Sequence, residues 1–385
     1  MLRNLFDTVK NERKSKILIL GYYGFRNAGD EAMLNALVTS LKAHSADIHV
    51  FSGDPEYTIT LHKIPAIKRS LNFPEMVKDL PRRIFALKNS DLLVIGGGSL
   101  FNDKWHLLPF GAFEVLFSKI FNKKIVICGV DVGPYNSFIS RSLARKIFQM
   151  VDFITVRSKE SADQLRKLKI KNFSLSADLT FLSEEGDKEN GKTLLEDNDI
   201  PVDNLVGVSL RLPHYFPKKI NIITESLDLF IEETGANLLF IPFQYHKDES
   251  ICNEAISKMR RKNCAYLWDK ESSFQEIKDI MSVLDFLIGM RLHSLIFSCL
   301  NKVPFFAISY HPKVKSFCEM FTEVLPYVEF DDIKECKDFY NPLITTYQSR
   351  KKYRKIISSN LDIMKRKAKI NIEIIKRVMK LKMSI

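Results

Sequence analysis

Residues 16–43 read KILILGYYGFRNAGDEAMLNALVTSLKA, and this stretch decides the fold. Its first residues, Lys16–Gly21, form an apolar run of strand length that ends in glycine. A glycine-rich loop follows, and the spacing of apolar residues from Asp30 to about Ala43 predicts an amphipathic helix. A strand, a glycine-rich loop and a helix in this order are typical of the first unit of a parallel α/β sheet.

The same alternation continues through the first half of the chain. Further apolar runs predict strands at His49–Ser52, Asp91–Gly96, Lys124–Val130 and Phe153–Val156. These runs are apolar at nearly every position, which indicates strands that are buried on both faces. The first half therefore predicts a parallel sheet covered by helices on both sides.

An acidic, polar segment, residues 183–204, interrupts this pattern and predicts a linker between domains. Ser273 and Glu276 beyond it predict a capping box at the start of a helix. The second half predicts strands at Leu205–Leu210, Asn237–Pro242, Phe286–Gly289 and Pro304–Ser309, and helices at Ile220–Thr234, Lys247–Arg260, Phe274–Met281 and Ser294–Leu300. We therefore expect an α/β protein with two Rossmann-like domains, residues 1–182 and 205–345, that face each other across a cleft.

The composition of the 385 residues is that of a folded globular protein, with 45% hydrophobic and 27% charged residues. The six cysteines show neither a CxxC pair nor a cysteine–histidine cluster at zinc spacing, so no metal site is expected. The sequence has no apolar run of membrane-spanning length, and its first residues lack the apolar core of a secretory signal. These features predict a cytoplasmic protein.

The net charge of +12 favours anionic partners but does not choose among small substrates, nucleic acid and an acidic membrane surface. Residues 346–385 are expected to form a basic helical segment, in which lysines and arginines alternate with isoleucines. Two interpretations of this segment stay open. It is either an amphipathic helix that packs back on the protein, or a helix that contacts an anionic membrane peripherally.

Two motifs in the first half follow directly after predicted strands, where open α/β sheets bind ligands. The loop of residues 21–31 carries Asn27 and the adjacent carboxylates Asp30 and Glu31, but not the GxGxxG spacing of a dinucleotide site. Either carboxylate suits a sugar site as a base, although a purely structural role for Asp30 as the helix N-cap would also explain it. In the GGGS segment, Gly97, Gly98 and Ser99 allow a ligand to approach the backbone and present amides to an oxyanion.

Arginines follow two further strands. Arg157 in the first half suits a carboxylate or phosphate, or else an interdomain salt bridge, and Arg211 repeats the arrangement in the second half. The strongest motif joins a buried strand to an apolar helix and contains Arg291, Leu292 and His293. Free amides and the helix dipole combine there with a guanidinium, which predicts an anion site with His293 as a candidate proton donor.

Taken in order, these motifs resemble those of the polysaccharide pyruvyl transferase family. The resemblance extends over roughly residues 16–317 and rests on the loop at 21–31, GGGS at 96–99, TVRSKES at 155–161, SAD at 176–178, RLHS at 291–294 and PFFAISYHPK at 304–313. It implies a fold similar to the two-domain, GT-B-like glycosyltransferases. It also implies phosphoenolpyruvate as the donor and a sugar hydroxyl pair as the acceptor, often in a lipid-linked cell-wall or capsule precursor.

The resemblance also assigns residues. It implies donor contacts for Arg291, Leu292 and His293, and a further contact from Arg157 or Arg211. Two positions depart from the family pattern on the presumed acceptor side. Arg26 stands where the family usually has a second loop glycine, and Asp131 stands where an uncharged residue is more common.

The residues are consistent with ketal formation that uses no metal or redox cofactor. His293 would act as the acid on the donor, and Asp30 or Glu31 as the base on the sugar hydroxyl. One rival is a glycosyltransferase with a nucleotide-sugar donor, although a Glu-rich ribose-binding motif is missing from the second half. Another is a basic, non-catalytic protein that binds nucleic acid or membranes, although the aromatic–basic strand pattern of an RNA platform is missing too. We therefore expect no nucleic-acid partner.

Overall fold

The first domain is built on a parallel sheet of seven strands. The computed structural model describes residues 14–43, 46–103, 111–211 and 217–380. The strands are β1 (Lys16–Leu20), β2 (Asp47–Ser52), β3 (Ala66–Lys68), β4 (Leu92–Gly96), β5 (Lys124–Val130), β6 (Phe153–Val156) and β7 (Phe173–Leu175). Their order in the sheet is β3-β2-β1-β4-β5-β6-β7, and every pair is parallel. The predicted strands are all present, and the two edge strands of three residues each were too short to be predicted.

Helices cover both faces of this sheet. They are α1 (Ala28–Lys42), α2 (Pro55–His62), α3 (Phe73–Lys78), α4 (Leu80–Asn89), α5 (Ala112–Ile120), α6 (Phe138–Gln149) and α7 (Lys159–Lys167). Alternate residues of β1 explain the two faces. Ile17 and Ile19 pack with α1, whereas Leu18 and Leu20 share a core with α4, α5, α6 and α7.

The second domain repeats the architecture with six parallel strands. Its strands are β8 (Leu205–Ser209), β9 (Asn237–Phe240), β10 (Ala265–Leu267), β11 (Phe286–Gly289), β12 (Phe305–Ser309) and β13 (Tyr327–Glu329), in the order β10-β9-β8-β11-β12-β13. The helices after the first domain are α8 (Lys188–Glu196), α9 (Pro217–Thr234), α10 (Tyr245–Lys258), α11 (Phe274–Val283), α12 (Leu292–Leu300), α13 (Pro312–Cys318), α14 (Cys336–Gln348) and α15 (Arg350–Lys380). The predicted capping box of Ser273 and Glu276 is present at the start of α11.

The segment between the domains, residues 183–204, contains helix α8. This helix packs closely on α11, because a Cβ atom added at Gly191 would lie 2.2 Å from the carbonyl oxygen of Asp279. The predicted linker is therefore partly ordered against the second domain.

Helix α15 connects the two domains. Near its start Ile357, Leu361 and Met364 join a core to which both domains contribute. Near its end Ile372 and Ile375 pack on the face of the first sheet that α1 covers. Of the two interpretations of the basic C-terminal segment, the structure agrees with the helix that packs back on the protein for residues 350–380, whereas residues 381–385 lie outside the described part of the chain. No helix in the described part is both long and apolar enough to cross a membrane.

Candidate active site between the domains

A cavity of about 170 Å³ lies between the domains at the ends of the strands. Loops that follow β1, β4 and β6 meet loops that follow β8, β9, β11 and β12. The lining residues are Tyr22, Asn27, Asp30, Gly98, Ser99, Leu100, Arg157, Arg211, Phe243, Arg291, Leu292, His293, Tyr310 and Lys313. The fold thus brings together most of the site residues predicted from the sequence, and only Glu31 and Gly97 are not among the lining residues.

His293 reaches the first domain because Gly29 has no side chain. A Cβ atom at Gly29 would lie 2.0 Å from the Nδ1 atom of His293, so the imidazole rests directly on the first turn of α1. The Nε2 atom lies 3.6 Å from Asp178 Oδ2, which is beyond hydrogen-bond distance, and it has no hydrogen-bond partner in the described part of the chain. An imidazole nitrogen that is buried and unpartnered beside a cavity is available to a ligand.

Asp30 faces the same cavity from the first domain. The structure corrects its predicted role as N-cap, because α1 begins at Ala28 and Asn27 is the cap, whose side chain accepts a hydrogen bond from Gly29 N at 3.1 Å. Burial raises the pKa of Asp30 to about 6, although the nearby His293 acts in the opposite direction. A carboxylate with such a pKa can accept a proton near neutral pH.

Glu31 points away from the cavity, although it is the next residue along the chain. Its side chain is fully buried, with one oxygen accepting from Gly24 N at 2.8 Å and the other 2.9 Å from His62 Nε2. Neighbouring residues on a helix lie about 100° apart, so the two adjacent carboxylates point in different directions. Glu31 holds the loop of residues 21–31 in place.

Arg157 is held by two carboxylates of its own domain. Its Nε and Nη2 atoms donate to Asp131 Oδ2 at 2.9 and 2.6 Å, and Nη1 donates to Asp178 Oδ2. The predicted alternative of an interdomain salt bridge is therefore wrong, because the ion pairs stay within the first domain. Burial opposes ionisation of Asp178, yet Arg157 and His293 hold the pKa of this carboxyl well below its usual range.

Arg291 is anchored in a similar way in the second domain. Its Nε donates to Asp248 Oδ2 at 2.9 Å and its Nη2 donates to Asp248 Oδ1, with both side chains almost fully buried. The two bonds form a bidentate pair that fixes the guanidinium plane. Of its nitrogens, Nη1 is the one that this pair leaves for the cavity.

Two other cations line the cavity without such anchors. Among the described residues, neither Arg211 nor Lys313 forms an ion pair with a carboxylate. Arg211 is half-buried at the end of β8, and Lys313 lies in the first turn of α13. Burial lowers the pKa of Lys313 from its ordinary value.

The glycine turn after β4 shapes the first-domain side of the cavity. Gly97 and Gly98 adopt φ angles of +74° and +80°, a conformation that side chains rarely allow. A Cβ atom at Gly97 would also lie 2.7 Å from the sulfur of Met33, so Gly97 packs against α1. Ser99 lines the cavity, but its hydroxyl donates to Asp131 at 3.1 Å.

The two departures from the family pattern have clear structural roles. Arg26 adopts a φ angle of +54°, the left-handed region that glycine favours, and its side chain pairs with Asp54 at 3.0 Å and with Glu271 of the second domain. Asp131 is the carboxylate that holds Arg157. Both residues therefore fix the walls of the cleft.

The sequence interpretation gave no role to several residues that shape the site. Asp178, Tyr310 and Lys313 stand in quoted motifs without an assigned function, and Asp248 stands in no quoted motif. A lysine in an apolar stretch after a strand could have suggested Lys313. Asp248 carries no comparable signal, since its partner Arg291 is far away in sequence.

Outside this cavity, the described part of the chain shows no second cluster of the site residues predicted from the sequence. Within the described ranges, no cluster of three or more His, Cys, Asp or Glu side chains could hold a metal ion. A larger cavity of about 710 Å³ opens beside β1, β2, β3 and α4, with Leu18, Ile67 and Phe85 in its wall. None of the site residues predicted from the sequence lines it.

Comparison with known proteins agrees with the motifs. The chain matches the sequence profile of the polysaccharide pyruvyl transferase family over residues 27–312. It is 21% identical over 350 residues to the amylovoran biosynthesis protein AmsJ of Erwinia amylovora, an alignment that covers 77% of this chain and 84% of that protein.

Solved structures resemble the whole chain in fold. HepE of Anabaena in complex with UDP-glucose has a TM-score of 0.65 at 14% identity, covering 96% of this chain and 100% of that one. A UDP-GlcNAc 2-epimerase from Neisseria meningitidis, bound to UDP-GlcNAc, has a TM-score of 0.65 at 11% identity, covering 94% and 100%. These likenesses confirm the predicted GT-B-like arrangement of two Rossmann-like domains.

Proposed function

Because the chain belongs to the polysaccharide pyruvyl transferase family, we propose that it transfers the pyruvyl group of phosphoenolpyruvate to a sugar and forms a ketal. The coarser conclusion, that it is a transferase of polysaccharide biosynthesis, follows from the family and from its relative AmsJ. One observation carries the finer proposal. In a single small cavity, His293 and Asp30 come from opposite domains and lie beside Arg211 and Lys313, two cations that form no ion pair within the described part of the chain.

The donor binds on the second-domain side of the cavity. Phosphoenolpyruvate carries a phosphate and a carboxylate, and Arg211 and Lys313 supply positive charge that is not held in an ion pair with any carboxylate of the described residues. The first backbone N–H groups of α12, including those of Leu292 and His293, have no partner within the helix and suit the same anion. Arg291 adds its remaining Nη1, held in orientation by Asp248.

Arg157 has a different part in this proposal. All three of its guanidinium nitrogens already donate to Asp131 or Asp178. Of the two arginines that the sequence left as alternatives, Arg211 is therefore the better candidate for the donor contact. Arg157 fixes Asp178, whose Oδ2 atom lies 3.6 Å from the Nε2 atom of His293.

The reaction begins at the donor double bond. His293 donates a proton to the methylene carbon, which becomes a methyl group and leaves an oxocarbenium-like centre at C2. A sugar hydroxyl oxygen adds to C2 while Asp30 takes the hydroxyl proton. The C2–O bond to phosphate then breaks, phosphate leaves with the proton from Asp30, and a second hydroxyl adds to C2 and returns its proton to His293.

The size of the cavity favours a small donor over a nucleotide sugar. As lined by the described residues it measures about 170 Å³, whereas pockets for drug-sized ligands span about 300–1,000 Å³. The acceptor is proposed to be a sugar of a cell-surface polysaccharide or of its lipid-linked precursor, and the enzyme would then work at the inner membrane surface. Helix α15 buries its apolar side, so any membrane contact of this helix would rest on its exposed lysines and arginines alone.

Thermal stability with different donors tests the proposal. A ligand that binds only the folded state raises the melting temperature, so phosphoenolpyruvate should raise it and UDP-glucose or UDP-GlcNAc should not. Phosphate release from phosphoenolpyruvate with a panel of saccharide acceptors, and a ketal product detected by mass spectrometry, then establish the reaction. Stabilisation by a nucleotide sugar alone would instead identify a glycosyltransferase.

Helix α13 offers a matched pair of variants for the donor site. Lys313→Ala removes the cavity lysine and should abolish most of the shift caused by phosphoenolpyruvate. Lys315→Ala removes an exposed lysine from the same helix and should leave the shift unchanged. Equal shifts in both variants would place the donor away from Lys313.

A further inference from the structure

Exposed apolar side chains gather on one layer of the first domain. Phe85 on α4, Leu116 and Ile120 on α5, and Phe138 and Ile139 on α6 are all exposed, with Phe138 80% and Ile139 72% accessible. Scattered apolar residues are normal on a protein surface, but several on adjacent helices mark an interaction surface. We call the outer face of these three helices the α4–α6 surface.

The α4–α6 surface is also strongly basic. Its exposed cations are Arg82, Lys88, Arg141, Arg145 and Lys146. The three helices contain a single carboxylate, Glu114, which is buried and paired with Arg69 and Arg83. No acidic side chain on these helices is therefore exposed.

The next helix in the same layer shows that this composition is not general. Helix α7 exposes the carboxylates of Glu160 and Asp163 together with its lysines, and it has no exposed large apolar side chain. A surface that exposes both charges and no large apolar side chain is well solvated. In this helix layer of the described chain, α4, α5 and α6 combine exposed apolar and purely basic side chains, and α7 does not.

We propose that the α4–α6 surface docks the protein on an anionic lipid bilayer. Apolar and aromatic side chains enter the boundary between headgroups and acyl chains, and lysines and arginines are attracted to anionic headgroups. A surface that combines both, without exposed carboxylates to repel the headgroups, is complementary to such a bilayer. The cavity beside α4, lined in part by Arg82 and Phe85, extends the apolar area.

Docking through this surface also brings the cleft to the bilayer. Asp131 holds Arg157 at the cavity, and the short segment 132–137 leads from it to Phe138 at the start of α6. Phe138 and Ile139, the most exposed apolar residues of this surface, thus lie at the end of the helix layer that is nearer the cleft. An acceptor anchored in the membrane would be close to the cavity, although the docking itself does not depend on the proposed reaction.

The basic helix α15 is a separate candidate that the structure disfavours. It covers the opposite face of the first sheet, so one flat bilayer cannot contact both surfaces. Its isoleucines are buried or partly buried, and it presents no exposed large apolar side chain within residues 350–380. The two surfaces can be tested against each other.

Co-sedimentation with lipid vesicles tests the proposal on the full chain. Vesicles that contain phosphatidylglycerol should bind the protein, and vesicles of phosphatidylcholine alone should bind it weakly. The double variants Phe138→Glu/Ile139→Glu and Arg145→Glu/Lys146→Glu should each weaken binding to the anionic vesicles by about tenfold or more. Both pairs are exposed, so the melting temperature should not change.

Two control variants make the same kinds of substitution on other surfaces of the protein. Lys351→Glu/Lys355→Glu reverses two exposed charges on α15, and Val324→Glu replaces an exposed apolar residue of the second domain. Both should keep wild-type vesicle binding. Phosphate release from phosphoenolpyruvate with a soluble acceptor should stay normal in every variant, which separates this proposal from the proposed reaction.

Three results would overturn the docking proposal. The wild-type protein could fail to bind anionic vesicles, or the α15 variant could lose binding as strongly as the α6 variants. Alternatively, Phe138→Glu/Ile139→Glu could convert an oligomer to a monomer in light scattering and leave vesicle binding intact. That last result would identify the α4–α6 surface as a protein interface.

Discussion

The two walls of the cleft differ in the sign of their charge and in how many of their charged side chains are held in ion pairs. The first-domain wall carries Asp30 together with Asp131 and Asp178, and these last two hold Arg157, the arginine of this domain that lines the cavity. The second-domain wall is basic. Among its described cations, Arg291 is anchored by Asp248, but Arg211 and Lys313 have no ion-pair partner.

This contrast separates two chemical tasks. Cations without partners attract an anionic donor, whereas a buried carboxylate with a raised pKa accepts a proton from a neutral hydroxyl. His293 extends from the basic wall onto α1 of the acidic wall, because Gly29 leaves room for it. The site is thus complete only when both domains face each other.

The largest expected effect comes from the side chain that crosses between the walls. His293→Ala should lower turnover by roughly two orders of magnitude or more, the usual scale for loss of a general acid. Phosphoenolpyruvate should still bind, because the cations of the second-domain wall remain. Phosphate release and thermal shift measure the two effects, with His246→Ala, an exposed histidine outside the cavity, as the control. Normal turnover in folded His293→Ala would remove this residue from the mechanism.

The acidic wall is tested by the adjacent carboxylates. Asp30→Asn should lower turnover by at least about tenfold while leaving phosphoenolpyruvate binding intact, since the amide cannot act as a base. Its melting temperature should not fall, because the change removes a charge that burial disfavours.

Glu31→Gln is the matched comparison on the same helix. It should lower the melting temperature, since Glu31 pairs with His62 in the core, and it should leave turnover at low temperature nearly unchanged. The opposite pattern, with activity lost in Glu31→Gln and kept in Asp30→Asn, would exchange the roles of the two carboxylates.

The pH dependence follows from the direction of one pKa shift. Burial raises the pKa of Asp30 from 3.8 to about 6, and the base form is the ionised one. Activity should therefore fall as the pH drops through about 6, and kcat/KM at pH 5 should be roughly a tenth of its plateau. The remaining activity of Asp30→Asn should lack this acid limb. If the activity of Asp30→Asn still fell as the pH dropped through about 6, this fall would be due to the titration of another group.

The smallest expected effect concerns the anchored arginine of the basic wall. Arg291→Lys keeps the charge but loses the planar fork that bonds Asp248 at two points. We expect the KM for phosphoenolpyruvate to rise several-fold with little change in kcat, and the melting temperature to fall by a few degrees because a buried pair is weakened. Initial rates and melting curves measure both. An unchanged KM would show that the donor does not contact Arg291.

Much of the site was predictable because its motifs share one position in the fold. Asn27, Gly98, Arg157, Arg211 and Arg291 all follow strands of parallel sheets, and the carboxyl ends of such strands lie at one edge. The pairing of these side chains was not predictable. Asp248 and Arg291 are far apart along the chain, and no local pattern connects them.

The sequence also could not predict which of Asp30 and Glu31 faces the cavity, although these two residues are adjacent. Both are acidic residues in the first turn of α1, and the sequence offered each as a base. The start of the helix at Ala28 rather than at Asp30 decides which carboxylate faces the cavity. That start depends on the Asn27 cap and on a backbone hydrogen bond of 2.9 Å from Ala28 N to Phe243 O of the other domain.

By itself the sequence determined the two α/β domains, the order of their strands along the chain and the family, because apolar periodicity and loop motifs are local properties of the chain. Tertiary structure decided which charges are neutralised and which remain free. Ion pairing and burial depend on atoms from distant segments, and both change the behaviour of the same residue type. Arg157 and Arg211 each follow a strand, yet one is bound by two carboxylates and the other faces the cavity unpaired among the described residues.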